Sequence, residues 1–327
     1  MEVLFYARPS ANSDLRNSVA NALVELNLVV ASETPRLGDF RNGFASMLSP
    51  LPNAIYFKVG NPVAHDTIQD SLVLTNGCPI PDSNTYIVVD DPQSCFYRLM
   101  NRLLREDTSL EEIEAFASDV REEHPGCKIH SSAKLGKVQL GEGCFIGPLS
   151  MIHSGTIIGD NASVGALVSI GAEGLAWAWN GADGTIVRQP QIGETRIGAG
   201  VFIGDRVVIC RGSTSDTTHV GADSMIAPGT CIGHGVWIGA QVHVANNVSI
   251  AGNVRVDDSC FIGSGSVVEP GIRLPRGTLV GAGSVVSRAP DQTGLILKGN
   301  PARVVGERNA AAKGGAPWAP SRHFDDS

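Results

Sequence analysis

The sequence predicts a mainly β chain whose larger part is a coiled parallel β-helix. Every sixth residue from Ile226 to Val286 is aliphatic, which gives eleven positions in unbroken register. An α-helix repeats near 3.6 residues and an ordinary strand at two, so a strict period of six requires a chain that turns a corner every six residues. Gly or Ala repeatedly follows the aliphatic position, and glycine tolerates the backbone angles of tight corners. The positions are Ile226, Ile232, Ile238, Val244, Ile250, Val256, Ile262, Val268, Leu274, Val280 and Val286.

The same register sets the limits of the coil. It runs upstream through Leu140–Ile170, resumes over Ile197–Ile209, and slips once before Val220. We therefore expect the coil to span residues 129–305, with an inserted loop at 171–191, because the interruption is too long for a corner.

This hexapeptide pattern resembles the left-handed β-helix of the hexapeptide-repeat acyltransferases. The resemblance implies three hexapeptides per triangular coil and a homotrimer with active sites in the grooves between subunits. The repeat is more specific for fold than for chemistry, since γ-class carbonic anhydrases and non-catalytic scaffolds use the same coil.

Composition narrows the class of protein. The formal charge of −8 and the pI near 5.5 argue against a nucleic-acid partner, which requires a basic face. No apolar run reaches the ~20 residues of a membrane span, and the first residues do not resemble a signal peptide. The seven cysteines form no CxxC pair, which favours reduced thiols and a cytoplasmic location. We expect no metal and no tightly bound cofactor.

Residues 1–107 lack the register and predict a small α/β domain, followed by a helical linker at 108–128. Apolar runs bounded by turn residues predict its strands, and helical spacing after a cap or a proline predicts its helices. The predicted strands are Val3–Tyr6, Ala54–Val59, Ser71–Leu74 and Tyr86–Val89, and the predicted helices begin at Ser13, Pro92 and Ser109.

Within this domain the runs AIYFKVGNP, SLVLTN and YIVVDDPQSCFYRLMNRLL resemble the N-terminal domain of the UDP-3-O-acylglucosamine N-acyltransferases of lipid A biosynthesis. The resemblance implies a nucleotide-sugar-binding domain in which an aromatic ring stacks on uracil and an Asn hydrogen-bonds it. The matching residues are Phe57 and Asn61. The alternative is that Phe57 is a core strand residue and Asn61 a turn residue before Pro62.

The inserted loop GAEGLAWAWNGADGTIVRQP carries Trp177 and Trp179. A long loop that leaves a rigid scaffold is a usual place for function. The family resemblance implies a loop that reaches a neighbouring subunit and borders the acyl and sugar sites. The alternative is that the two rings only cover apolar coil surface.

His234 is the main candidate for catalysis. Acyl transfer to an amine needs a base for the amine proton and a donor for the developing oxyanion. His234 lies two residues past Ile232, so its side chain should point outward from the coil, and an imidazole titrates near neutral pH. The segment IGHGVWIG resembles the stretch around the family's catalytic His. By the same resemblance the Gly252 N–H is the oxyanion donor, and Asn246 and Asn247 flank the groove as substrate ligands.

The C-terminal part departs from the lipid A enzymes in two ways. Gly271 stands where the family has a second His, with Glu269 nearby. The segment KGNPARVVG resembles the end of CoA-dependent acetyltransferases, which implies that Lys298 and Arg303 meet the phosphates of an acyl donor. Residues 306–327 are rich in Ala, Gly and Pro and predict a flexible tail.

Together these features predict an N-acyltransferase with a His general base. It would move an acyl group from a CoA or acyl-carrier-protein thioester to a nucleotide-linked amino sugar, for lipid A, lipopolysaccharide or another surface polysaccharide. Two alternatives stay open. One is a γ-carbonic-anhydrase-like hydratase with ligands among His153, His219, His234 and His243, and the other is a non-catalytic sugar-nucleotide-binding scaffold.

Overall fold

The computed structural model divides the chain into two compact units. The first contains the described residues up to 104 together with 173–193 and 212–216, and the second contains the rest. The predicted Val3–Tyr6 strand, the Ser13 and Ser109 helix starts, Asn61 and the tail beyond 308 lie outside the described residues. The structure describes residues 15–28, 44–45, 51–58, 68–77, 83–104, 124–181 and 183–308.

The first unit is a three-stranded parallel sheet with two helices. Its strands β1 (Ile55–Lys58), β2 (Leu72–Thr75) and β3 (Thr85–Val88) pair in that order. The helices are α1 (Leu15–Glu25) and α2 (Pro92–Leu104). Helix α2 begins where the sequence predicts, because proline suits a first turn and the Asp91 carboxylate accepts a 3.1 Å hydrogen bond from the Ser94 N–H.

The second unit is the predicted β-helix. Its short strands form three parallel sheets, which we call the first, second and third faces. The first face contains Lys128–Ile129, Phe145–Ile146, Ser163–Val164, Phe202–Ile203, Met225–Ile226, His243–Val244, Phe261–Ile262, Leu279–Val280 and Leu295–Gly299. The second contains Lys134–Leu135, Met151–Ile152, Ser169–Ala172, Val208–Cys210, Cys231–Ile232, Ser249–Ile250, Val267–Val268 and Val285–Val286. The third contains Gln139–Leu140, Thr156–Ile158, Glu194–Ile197, Thr217–Val220, Trp237–Ile238, Arg255–Val256 and Arg273–Leu274.

The aliphatic residue of each hexapeptide points into the coil. Ile226, Ile238, Val256 and Val280 each have 0 % of their surface exposed, and the other predicted ladder positions are also buried. Removing each such side chain from water stabilises the coil by about 1.5–3 kcal/mol. The predicted fold class, a mainly β chain with a left-handed parallel β-helix, is thereby confirmed.

Both breaks in the repeat occur where the chain passes from the second face to the third. Normal coils make this step in six residues, as from Ile232 to Ile238, but the chain passes from Ile170 to Ile197 and from Ile209 to Val220. The longer insertion contains an antiparallel hairpin of Trp177–Trp179 with Ile186–Arg188. We call the edge between these two faces the second–third corner.

The coil ends in a hairpin. Leu295–Gly299 continues the first face and pairs antiparallel with Ala302–Glu307. Regular structure thus extends to Glu307, two residues beyond the 305 limit expected from the repeat, because the backbone of the last strand pairs with its neighbour without needing the hexapeptide pattern. Within the described parts of the chain, no helix is long and apolar enough to cross a membrane.

Candidate active site

His234 lies at the second–third corner and is half-buried. Its backbone is held from both neighbouring coils. The Asn253 N–H donates a 2.8 Å hydrogen bond to the His234 carbonyl, and the Gly235 N–H donates a 2.9 Å bond to the buried Thr218 hydroxyl. These bonds fix the base of the side chain, while its position at a corner leaves part of the ring accessible.

Gly252 occupies the equivalent corner one coil later and lies directly against the imidazole. A Cβ placed on Gly252 would be 2.6 Å from Nε2 and 2.8 Å from Cε1 of His234. A Cβ on Gly233 would be 2.7 Å from the Gly252 nitrogen, so the absence of a side chain there also leaves that amide uncovered. The structure therefore brings together the two residues that the sequence predicts for catalysis.

Asn246 and Asn247 lie elsewhere on the coil. Both are exposed at the corner between the first and second faces, and Asn247 adopts a φ of 55°. Asn tolerates the left-handed region, so this corner gives Asn247 a structural role whether or not it binds a ligand. Within one chain these two residues therefore occupy a different edge of the β-helix from His234.

The outward positions of the third face form a ladder that the sequence analysis did not predict. Neighbouring strands pair Arg196 with His219, His219 with Trp237, Trp237 with Arg255 and Arg255 with Arg273. The His219 and Trp237 rings stack with centroids 4.1 Å apart, and the Arg255 guanidinium lies 5.8 Å from the Trp237 ring. In the sequence, each of these side chains directly precedes a buried ladder residue, and this position is the pattern that could have predicted them.

A second His lies at the same corner, several coils before His234. His153 is near Ser169, with Nε2 to Oγ at 3.3 Å, and burial, followed by the charge of Arg211, lowers its pKa to about 4. Arg211 is only 3 % exposed and donates to the carbonyls of Gly171 and Ser154 at 2.7 and 2.8 Å. This buried arginine therefore joins three segments of neighbouring coils through hydrogen bonds at the second–third corner.

Trp177 and Trp179 point away from the core of the first unit. The rings make an edge-to-face pair with centroids 5.3 Å apart and remain 43 % and 57 % exposed. Ala178 between them is buried in the apolar cluster that contains residues of α2. The Asn101 side chain of that helix also donates a 2.7 Å hydrogen bond to the Arg188 carbonyl, so the hairpin is held on one side and presents both indoles on the other.

Phe57 is a half-buried strand residue. Its ring packs against Phe96 and Tyr97 with centroids 5.1 and 6.0 Å apart. This environment gives Phe57 a packing role in the core of the first unit. The position proposed to act with it, Asn61, lies outside the described residues.

Lys298 and Arg303 face each other across the C-terminal hairpin. They are register partners and both are exposed. Two neighbouring cations suit an anionic group, but they lie on strands that extend the first face rather than at the second–third corner.

The four histidines considered for a metal do not converge within one chain. His153 and His234 lie at the second–third corner, His219 on the third face and His243 on the first. Among the described residues, no group of three His, Cys, Asp or Glu side chains is arranged to hold a metal ion. At Gly271, the position of the family's second His, φ is 71° and a Cβ would meet nothing within 4 Å.

Comparison with protein families identifies the repeat. The family described as bacterial transferase hexapeptide (six repeats) matches residues 137–172, and the hexapeptide repeat of succinyl-transferase matches residues 253–288. The chain is related to the hexapeptide-repeat acyltransferases. This relationship confirms the predicted resemblance, which rested on the period of six.

Curated proteins similar to this chain have different names and match it over part of their length. UDP-3-O-acylglucosamine N-acyltransferase of Delftia acidovorans is 32% identical over 131 residues, covering 39% of this chain and 37% of that protein. The bifunctional protein GlmU of Nitratidesulfovibrio vulgaris is 24% identical over 186 residues, covering 57% and 32%. The chain thus spans only about a third of the length of these relatives. Among solved structures, LpxA from Acinetobacter baumannii matches with a TM-score of 0.42 and 25% identity, covering 56% of this chain and 73% of that one.

Proposed function

We propose that this chain is an N-acyltransferase that acylates the amine of a nucleotide-linked amino sugar from an acyl thioester. The observation that carries the proposal is the contact between His234 and Gly252 at an accessible corner. It puts a base and a backbone N–H on adjacent coils, which are the two groups that acyl transfer requires. The named activity of the relative from Delftia acidovorans, N-acylation of a UDP-sugar, supports this reaction class.

His234 is the general base in this proposal. The amine nitrogen attacks the thioester carbonyl and His234 takes the proton that the nitrogen loses. The carbon–sulfur bond then breaks, the carbonyl re-forms as an amide, and the same proton passes to the departing thiolate. The products are an N-acyl sugar and a free thiol, so no oxidant, metal or further reactant is needed.

The Gly252 N–H is proposed to stabilise the oxyanion that forms in between. Among the described residues, no backbone acceptor takes a hydrogen bond from this N–H. Because Gly233 has no side chain, the Gly252 amide is left uncovered. The spacing of the coils also favours glycine at such positions: a Cβ on Gly263 would likewise come within 2.5 Å of the Ala282 nitrogen. A single aligned donor of this kind lowers the activation free energy by about 2.7–4 kcal/mol.

We further propose that the enzyme is a homotrimer whose sites lie between copies. Asn246 and Asn247 could share a groove with His234 only if a neighbouring copy supplied them, because within one chain they occupy another corner. The first face also exposes large apolar side chains suited to contact with another protein surface. These are Phe145, Phe202 and Met225, with 43 %, 44 % and 46 % of their surface exposed.

The remaining predicted ligands complete this proposal. Substrate binding in this proposal also involves Trp177, Trp179, Phe57 and Asn61. Lys298 and Arg303 contact the phosphates of CoA or of an acyl carrier protein. A cytoplasmic enzyme with this acceptor would serve lipid A, lipopolysaccharide or another surface polysaccharide.

A thiol-release assay tests the proposal. Acetyl-CoA and a series of acyl-carrier-protein thioesters are offered with UDP- and dTDP-linked amino sugars, and wild type is compared with His234→Ala and His234→Gln. We expect thiol release that depends on the amino sugar and falls about 10²- to 10⁴-fold in both variants. His130→Ala, at an exposed position on the first coil, is the matched control and should retain full activity.

Other outcomes would point to the alternatives. Wild-type turnover that His234→Ala leaves unchanged would remove His234 from the mechanism. No release with any pair would favour the non-catalytic scaffold. About one zinc per subunit in the purified protein, together with hydratase activity, would favour the metal enzyme.

A further inference from the structure

Two arginines on the third face share one carboxylate. Arg255 donates from Nε to Oδ1 of Asp257 at 2.8 Å, and Arg273 donates from Nε and Nη2 to Oδ2 at 3.0 and 2.8 Å. Burial alone would raise the pKa of Asp257, but these hydrogen bonds and the two positive charges outweigh it and hold the pKa below its usual value. The carboxylate is therefore ionised at neutral pH and orients both guanidinium groups.

Both arginine side chains are largely exposed, and most of their N–H groups make no hydrogen bond within the described part of the chain. The side chains of Arg255 and Arg273 are 54% and 62% exposed, whereas that of Asp257 is 14% exposed. Each guanidinium carries five N–H groups, and within the described part of the chain Arg255 uses one of them and Arg273 two. Two cations also face one anion, so the group has an excess positive charge in a chain of net charge −8.

Neighbouring side chains contact the pair, which lies close to the second–third corner. Trp237 packs beneath Arg255 and is stacked on His219, so neighbouring rungs of the ladder support its position. Arg255 is three residues after Gly252 on the same coil, which limits their Cα separation to about 10 Å. Exposed ion pairs stabilise a fold by only about 0–1 kcal/mol, so stability alone gives little reason for this arrangement.

We infer that Arg255 and Arg273, oriented by Asp257, bind the diphosphate of the nucleotide-sugar acceptor. Arginine forks match phosphate oxygens in a bidentate manner, and adjacent strands, about 4.8 Å apart, give two such forks for two phosphates. This inference rests on the proposed acyl transfer at His234 and assigns the acceptor side of that site.

The position favours the acceptor over the acyl donor. In a nucleotide sugar only the sugar ring separates the diphosphate from the amine that is acylated. In CoA the long pantetheine arm separates the diphosphate from the thioester. A diphosphate site at Arg255, three residues after Gly252 on the same coil, therefore fits the sugar nucleotide, whereas Lys298 and Arg303 lie on another face.

Equilibrium binding of UDP to the full chain tests the inference without turnover. Wild type is compared with Arg255→Gln, Arg273→Gln and the double variant, using UDP, inorganic pyrophosphate, uridine and CoA as separate probes. We expect the Kd for UDP and for pyrophosphate to rise about tenfold to a hundredfold in each single variant and further in the double variant. Uridine and CoA binding should not change.

Arg206→Gln is the matched control. Arg206 is exposed at the corner between the first and second faces with a φ of 58°, a conformation that Gln241 also adopts at 56°, so the same charge is removed without strain. Its Kd values should equal those of wild type, and all variants should keep the wild-type melting temperature.

The outcomes separate the two proposals. UDP binding that is absent in wild type, or equally tight in all variants, would overturn the diphosphate assignment while leaving acyl transfer to be judged by thiol release. A loss confined to CoA would also overturn it and move the pair to the donor. Loss of UDP binding in the arginine variants would support the assignment even if no acyl donor had been found.

Discussion

The Nε2 atom of His234 lies 2.6 Å from the point that a Cβ on Gly252 would occupy. The imidazole thus fills the space that a side chain on the next coil would need. Gly252 does not have a positive φ, so the backbone itself would accept alanine. The conflict is therefore specific to the ring, which makes the contact testable by adding one methyl group.

We predict that Gly252→Ala lowers activity without unfolding the chain. The ring is the end of a movable side chain and can swing aside, so the free energy of unfolding should change by less than about 1 kcal/mol. A displacement of about 1 Å at a reacting group can cost about a hundredfold in rate, and we expect a loss of that order in kcat/KM by thiol release. Gly306→Ala, where a Cβ would meet nothing within 4 Å, should be neutral. Equal activity of Gly252→Ala and wild type would show that the ring position does not matter.

We predict that His153 makes the fold less stable as the pH falls from 6.5 towards 4. Burial, with the charge of Arg211, lowers its pKa from 6.5 to about 4, so in this window the unfolded chain binds a proton that the folded chain does not. Protonation therefore favours unfolding, and the loss is complete below about pH 4. After allowance for partial exposure, we expect His153 to lower the free energy of unfolding by about 2 kcal/mol across this window.

Urea unfolding at pH 7.5 and 4.5 measures this effect. Between the two pH values, the free energy of unfolding should fall by about 2 kcal/mol less in His153→Gln than in wild type, because the variant lacks the titrating ring. His219, whose pKa is also lowered by burial and by Arg196, remains in both proteins and cancels in the comparison. His130→Gln, at an exposed position, is the control. Identical pH dependence of wild type and His153→Gln would contradict the prediction.

We predict that Leu149→Asn and Leu167→Asn stabilise the isolated chain. Both leucines have a φ of 58° and are 63 % and 53 % exposed, so they adopt a left-handed conformation with little burial in return. Asn161 adopts a similar φ of 55° in this coil, and asparagine fits that region better. Each change should raise the free energy of unfolding by about 0.5–1 kcal/mol in urea. Leu175→Asn, exposed but without a positive φ, should be neutral, and lower stability in the first two variants would contradict the argument.

We predict opposite consequences for neighbouring residues of the inserted hairpin. Trp177→Ala and Trp179→Ala remove exposed rings, so stability should change by less than about 1 kcal/mol while KM for the acceptor or the donor rises severalfold. Ala178→Glu would bury a charge in the cluster with α2 and should lower the melting temperature clearly. Unchanged KM in both Trp variants would remove the hairpin from the binding site.

The β-helix could be predicted almost completely because its signal is local. Each ladder residue, such as Ile238 or Val256, is recognisable from neighbours six positions away, and burial of the inner position follows from the corner geometry. The positions outside the coil carry no such constraint. Arg196 and His219 are register partners across the insertion between Ile209 and Val220. The length of that insertion does not follow the period of six, so the spacing in the sequence does not predict their pairing.

The candidate site divides in the same way. The place of His234 in the repeat predicts an outward side chain, and the family resemblance implies a role for Gly252, but neither predicts the distance between the two residues. The sequence does not predict that Arg255 and Arg273 share Asp257, because an arginine before a ladder aliphatic has the same pattern as any solvated surface residue. Phe57 packs against α2, a relationship between segments about forty residues apart.

The sequence by itself determined the coil, its approximate limits and the corner position of the predicted base, since all three depend on a short period of apolar and small residues. Only the tertiary structure decided which side chains meet. Stacking of coils brings residues 18 or more positions apart within a few ångströms, and the two insertions shift that spacing by amounts that no local pattern records. The contact of His234 with Gly252 and the arginine pair on Asp257 both arise from this stacking, so both depend on the register of the strands.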